Sequence, residues 1–121
     1  MEPVKAHLDV RQEADVTVVS FLDRKILDEL NISQIEEQLF VLVDGATSPK
    51  LVLDFANVEH LSSRALGTLI SLMKRVNSKG GRLALTNIES RIFEVFRITR
   101  LDRSFDIFKT RDEAVVAVSG R

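Results

Sequence analysis

From Val16 to Phe21 the chain reads VTVVSF, a β-branched run that predicts a strand, and AHLDV before it predicts a hairpin partner across RQEAD. The period then changes. In SQIEEQLFVLV, Ile35, Leu39 and Leu42 or Val43 fall on one helical face, and Ser33 stands three residues before Glu36. At that spacing hydroxyl and carboxylate cap each other's backbone N–H groups, so a helix is expected from Ser33 to about Asp44-Gly45.

LVLDF, starting at Leu51, is almost unbroken apolar sequence, as in strands covered on both faces. From Ala65, apolar Leu66, Leu69, Ile70 and Met73 recur at helical intervals, and Arg64, Thr68, Ser71, Lys74 and Arg75 take the other side. The helix is expected to stop at Gly80 or Gly81, either of which tolerates a left-handed conformation. RLALTN then reads as a strand, ESRIFEVFRI as a helix burying Ile92, Val95 and Phe96, and FDIFKT as a last strand. TRDEAVVAV closes the pattern as a helix, with Thr110 and Glu113 at capping-box spacing.

The order β-β-α-β-α-β-α-β-α predicts one α/β domain over residues 1–121. Its four- or five-stranded sheet should be mostly parallel with an antiparallel edge, and about four helices should pack mainly on one side.

Composition narrows the partners. The 121 residues are 45% hydrophobic and 29% charged, with a formal net charge of −1, so the broad positive field that draws nucleic acid or anionic membrane is missing. Protein partners are the expectation. There is no cysteine, hence no disulfide, thiolate nucleophile or cysteine zinc site, and the start MEPVKAHLDV lacks the apolar core of a signal peptide. The apolar run LFVLV is far too short to span a bilayer, so a cytoplasmic location without membrane insertion is expected.

Candidate chemistry concentrates at Ser62 and Ser63, where the strand LVLDF gives way to a helix. A serine there caps the helix or stands exposed at the carboxyl end of a parallel strand, where open α/β sheets present partner sites, and the residues leave both roles open. LSSRALG is not a Gly-x-Ser-x-Gly elbow, and no phosphate-cradling glycine loop occurs, so neither an enzyme nor a cofactor is expected. His7 and His60 are not spaced as a metal pair, and His60 reads as a surface contact. Asp54 reads as an acceptor for loop hydrogen bonds and Gly67 as a close-packing position. Arg91, Arg97, Arg100, Arg103 and Arg111 are interleaved with acids, as on a solvated face.

The element order together with LVLDFANVEHLSSRALGTLISLMKRVNSKGGRLAL resembles the STAS domain of anti-sigma factor antagonists, and LDRSF before a capped last helix is a common ending in that family. The family's loop usually reads Asp-Ser-(Ser/Ala/Thr)-Gly-Leu-Gly, and its first serine is phosphorylated by an anti-sigma factor serine kinase. Aligned on Leu66-Gly67, that serine falls on Ser63, with Ser62 as the fallback. Ser62 stands where the family has Asp, Arg64 where it has a small residue, and Ala65 where it has Gly.

The resemblance implies a protein that binds the kinase, frees a sigma factor, and is released when phosphate reaches Ser63. The partner surface would comprise Asn57, Glu59, His60, Ser62, Ser63 and Arg64, with Thr68, Ser71 and Arg75 at its rim, while Leu66, Gly67, Leu69, Ile70 and Met73 hold the fold. Phosphate adds about −1.5 to −2 charges, tolerated at a helix N-terminus but costly inside an interface, and Arg64 beside it would shield the charge. The departures at Ser62, Arg64 and Ala65 keep a second reading open, a constitutive scaffold subunit, stressosome-like or transporter-associated, whose serine is never modified. A small-ligand or nucleotide module has only the fold in its favour.

Overall fold

The computed structural model describes residues 7–119. Strand β1 (Leu8–Glu13) pairs antiparallel with β2 (Val16–Phe21), and a short β3 (Lys25–Ile26) leads into helix α1 (Glu29–Asp44). Then follow β4 (Lys50–Asp54), a second short strand β5 (His60–Leu61) and α2 (Ser63–Ser78). The chain continues through β6 (Arg82–Thr86), α3 (Ser90–Ile98), a 3-10 turn at Leu101–Arg103, β7 (Asp106–Phe108) and α4 (Arg111–Ser119). The main sheet has five strands in the order β1-β2-β4-β6-β7, parallel except for the β1-β2 edge. β3 and β5 form a separate two-stranded parallel sheet, which local patterning did not predict.

Strand alternation divides the core. Val19, Phe21, Leu51, Leu53, Leu83 and Leu85 point to one face, where they meet buried residues of α1, α2 and α3. Val16, Val18, Val52 and Ala84 point to the other and are covered by Ala114 and Val118 of α4. This explains the unbroken apolar sequence of β4: both faces are roofed. Three helices lie on one face and one on the other.

The boundaries differ from the sequence pattern in two places. β1 runs on to Glu13, so the connection to β2 is only Ala14 and Asp15, with Ala14 at φ 58°. Arg11 and Gln12 belong to the strand because β1 is a sheet edge and its polar side chains face solvent. Ala6, assigned to this strand from sequence, lies outside the described residues. Helix α1 opens a turn early: Asp28, not Ser33, is its N-cap, accepting the Leu30 N–H at 2.7 Å. The earlier start adds Ile32 to the stripe of Ile35, Leu39 and Val43, and the burial of this fourth side chain outweighs a capping box at Ser33. The expected box at Thr110 and Glu113 does form, each side chain bonding the other's N–H at 3.2 and 3.4 Å.

At the end of α2, Gly80 takes φ 71° and Gly81 bonds back to the Val76 carbonyl. Gly81 is obligatory for a different reason: a Cβ there would lie 2.0 Å from the Pro49 carbonyl oxygen. The turn thus sets β6 beside β4.

Candidate functional site

The segment between β4 and α2 is fixed from beneath. Phe55 and Val58 are fully buried, Phe55 stacks obliquely on Phe21 at 4.8 Å, and the Phe55 N–H bonds the Thr86 carbonyl. Asp54, itself buried, accepts from the Ala56 N–H at 2.9 Å and the Asn87 amide at 3.1 Å, the loop-holding role expected of it. From the side, β3 braces the loop: the Arg24 carbonyl accepts from the N–H groups of Glu59 and His60, and the Ile26 carbonyl from that of Ser62. Glu59 also pairs with Arg24 at 3.4 Å. Asn57, Glu59 and His60 therefore project from a rigid support rather than a loose loop.

The two serines divide the tasks. Ser62 is the N-cap of α2, extended at φ −81° and ψ 166°, and its hydroxyl accepts the Ala65 N–H at 3.1 Å. Ser63 is the first helical residue and is exposed. The N–H groups of such a first turn have no intrahelical acceptor, so Ser63 stands where the helix favours negative charge.

Arg64 turns away from Ser63 toward α1, donating to the Ser33 hydroxyl at 3.3 Å and lying 3.8 Å from Glu36. Its assignment as a shield for Ser63 is corrected accordingly: two α1 acceptors already claim the guanidinium. Arg75, expected at the rim, likewise belongs to the α1-α2 contact, bonding both Asp44 carboxylate oxygens at 2.9 and 3.0 Å and lying 4.0 Å over the Phe40 ring. Thr68 leaves the expected surface as well, because it is buried with Ala65, Leu69 and Leu72 on the inner face of α2.

Leu66 and Leu69 are buried, whereas Ile70 and Met73 are half-buried against the core's margin. Leu72 and Val76 complete the inner stripe instead. Gly67 is exposed with open space where a Cβ would stand, so it packs against nothing. The outer face of α2 is formed by Ser63, Arg64, Gly67, Ser71 and Lys74.

On α3, Val95 is 40% exposed rather than in the core, since Ile92 and Phe96 already meet the sheet and Phe96 contacts Phe105 edge-on at 5.8 Å. Arg91 and Arg97 are paired locally, with Glu89 and Glu94, whereas Arg111 at the start of α4 reaches across to Glu13 on β1. The hydrogen bond and charge of Glu94 hold the Arg97 guanidinium above its ordinary titration range. His7 spans Asp23 and Gln34 at 2.6 and 2.7 Å, tying the start of β1 to α1, and His60 stands apart on the surface.

The sequence pattern that defines the STAS domain matches residues 7–114, nearly the whole described chain. The chain belongs to the STAS domain family. An anti-sigma-factor antagonist (STAS) domain protein from Planctomyces limnophilus superposes with a TM-score of 0.84 at 28% identity, over 95% of this chain and all of that one. A Thermotoga neapolitana protein, provisionally named an anti-sigma factor antagonist, is 39% identical over 72 residues, 60% of this chain and 64% of that protein. This STAS chain thus spans under two-thirds of that relative's length. The anti-sigma-B factor antagonist of Bacillus subtilis is 27% identical over 101 residues, covering 84% of this chain and 89% of that one. No helix among the described residues of this STAS protein is long and apolar enough to cross a membrane.

Proposed function

We propose that this STAS protein is a cytoplasmic anti-sigma factor antagonist that binds an anti-sigma factor serine kinase and is released by phosphorylation of Ser63. Its work is recognition, and its hydroxyl is the kinase's substrate. The division of labour between the serines carries the reading: Ser62 supplies the cap, so Ser63 stays exposed at a helix N-terminus with no structural duty. The names of its relatives point to an anti-sigma factor as the partner, and the serine kinase is the finer part of the proposal.

A phosphate at Ser63 is compatible with the fold, because the first-turn N–H groups and helix dipole favour an anion there. In the interface the same charge lacks a partner and costs several kcal/mol, a 100-fold or larger loss of affinity. The contact surface in this reading comprises Asn57, Glu59, His60, Ser62, Ser63 and Arg64, continuing through Ser71 on the outer face of α2.

The test is incubation with the cognate kinase and ATP, followed by mass spectrometry. One phosphate on Ser63 is expected, and Ser63→Ala should stay bound where the wild type is released. No phosphate on Ser62 or Ser63, from a kinase that modifies another STAS protein of the same cell, would instead favour a constitutive scaffold.

A further inference from the structure

Open α/β sheets take their ligands outside the carboxyl ends of the parallel strands. At those ends of β4, β6 and β7 a cavity of about 840 Å³ opens, and neither Ser62 nor Ser63 lines it. That volume lies in the range of roughly 300 to 1,000 Å³ typical of small-molecule sites and exceeds what one side chain of a partner fills. Ala56 contributes from the loop after β4, Asn87 and Ile88 from the connection after β6, and Phe108 and Lys109 from the end of β7. Ser90 and Phe93 of α3 and Asp102 of the 3-10 turn complete the lining.

The cavity has an apolar wall and a free cation. Ile88, Phe93, Ile107 and Phe108 are all half-buried, so part of each remains open to an occupant. Asn87 is fixed in place: its backbone is left-handed at φ 59°, and its amide donates to Asp54 at 3.1 Å. Charge names the occupant. The field of Asp102 acts on Arg97, whereas exposed Lys109 pairs with no carboxylate among the described residues, and the Ser90 hydroxyl has no partner there either.

We propose that this cavity binds a small organic anion with an aromatic or branched apolar body. The body lies against Ile88, Phe93 and Phe108, and the anionic group accepts from the Lys109 ammonium and the Ser90 hydroxyl. The inference is independent of kinase binding. Ala56 precedes Asn57 in the loop, so an occupant sits at the foot of the proposed contact surface.

Other depressions fit less well. The groove bordered by Glu59, Leu66 and Val95 holds about 160 Å³, and its charged residues Arg91 and Glu59 are already paired with Glu89 and Arg24. The depression at Asp23, Arg24, Lys25 and Asn31 has no apolar wall.

The test titrates the full chain with anilinonaphthalene sulfonate, an aromatic body bearing one anion, and follows its fluorescence, with naphthoate and neutral naphthalenemethanol as competitors. Saturable binding is expected, with naphthoate displacing the probe at least about fivefold more effectively than naphthalenemethanol. Lys109→Gln, and Ser90→Phe, which fills the cavity from an exposed position, should each weaken binding about fivefold or more, and Lys74→Gln on α2 and Arg91→Gln less than about twofold. Melting temperatures confirm that each chain is folded, and Lys109→Gln decides the matter alone if Ser90→Phe is not. No saturable binding, equal displacement by the two competitors, or wild-type affinity in Lys109→Gln overturns the proposal and leaves the kinase reading intact.

Discussion

Ser62 and Ser63 are adjacent and chemically identical, yet one backbone step separates a cap from a free hydroxyl. Ser62 has the extended backbone that aims its oxygen at the Ala65 N–H, whereas Ser63 is already helical. Ser62→Ala should therefore lose about 0.5 to 2 kcal/mol of stability, and Ser63→Ala less than about 0.5 kcal/mol. Chemical denaturation of both variants checks this, and an equal loss from each would mean that the cap is shared. Capping was legible in the sequence at this position. Which serine caps was not, because the choice depends on where β5 leaves the chain: the Ser62 N–H is held by the Ile26 carbonyl, from a strand far away in sequence.

At the scale of the element, helical period located all four helices but misassigned individual faces. Thr68 reads as polar and outward, but it lies between Ala65 and Leu72 on the buried stripe, where its methyl group can pack as an apolar surface does. Leu69 is 3% exposed in that stripe, so Leu69→Ala should cost about 2 to 5 kcal/mol. Gly67 faces solvent within the same helix, and Gly67→Ala should gain up to about 1 kcal/mol by restricting the unfolded chain and raising helix propensity. Thermal melts of the pair test the helix's rotation about its axis. A stabilised Leu69→Ala or a strongly destabilised Gly67→Ala would show that α2 is turned the other way.

At the scale of the whole molecule, the charges of α2 serve two purposes. Arg75 joins α1 to α2 through Asp44 and Phe40, so Arg75→Glu should lower the melting temperature by placing like charges together and removing a cation-π contact. Ser71 projects from the outer face, so Ser71→Glu should leave the melting temperature unchanged while weakening kinase binding. Measuring melting and binding for both variants separates these roles. Kinase binding by Ser71→Glu equal to wild type would remove the middle of α2 from the interface.

The sequence by itself determined the order of the main-sheet strands and the four helices, the antiparallel edge, the two-sided burial of β4 and the glycine stop after α2. These follow from local periodicity and backbone preference, which act within a few residues. It also pointed to Ser62 and Ser63, through their place at a strand-helix junction and the resemblance of LSSRALG to a family motif. Only the tertiary structure decided that Arg64 and Arg75 are engaged by α1, that Thr68 is buried, and that Val95 borders a groove with Glu59 and Leu66. Each of those outcomes depends on what a different element brings against the side chain. A two-residue strand such as β3 carries too few positions to show a period, and it exists because Arg24 and Ile26 find main-chain partners beside the serine loop.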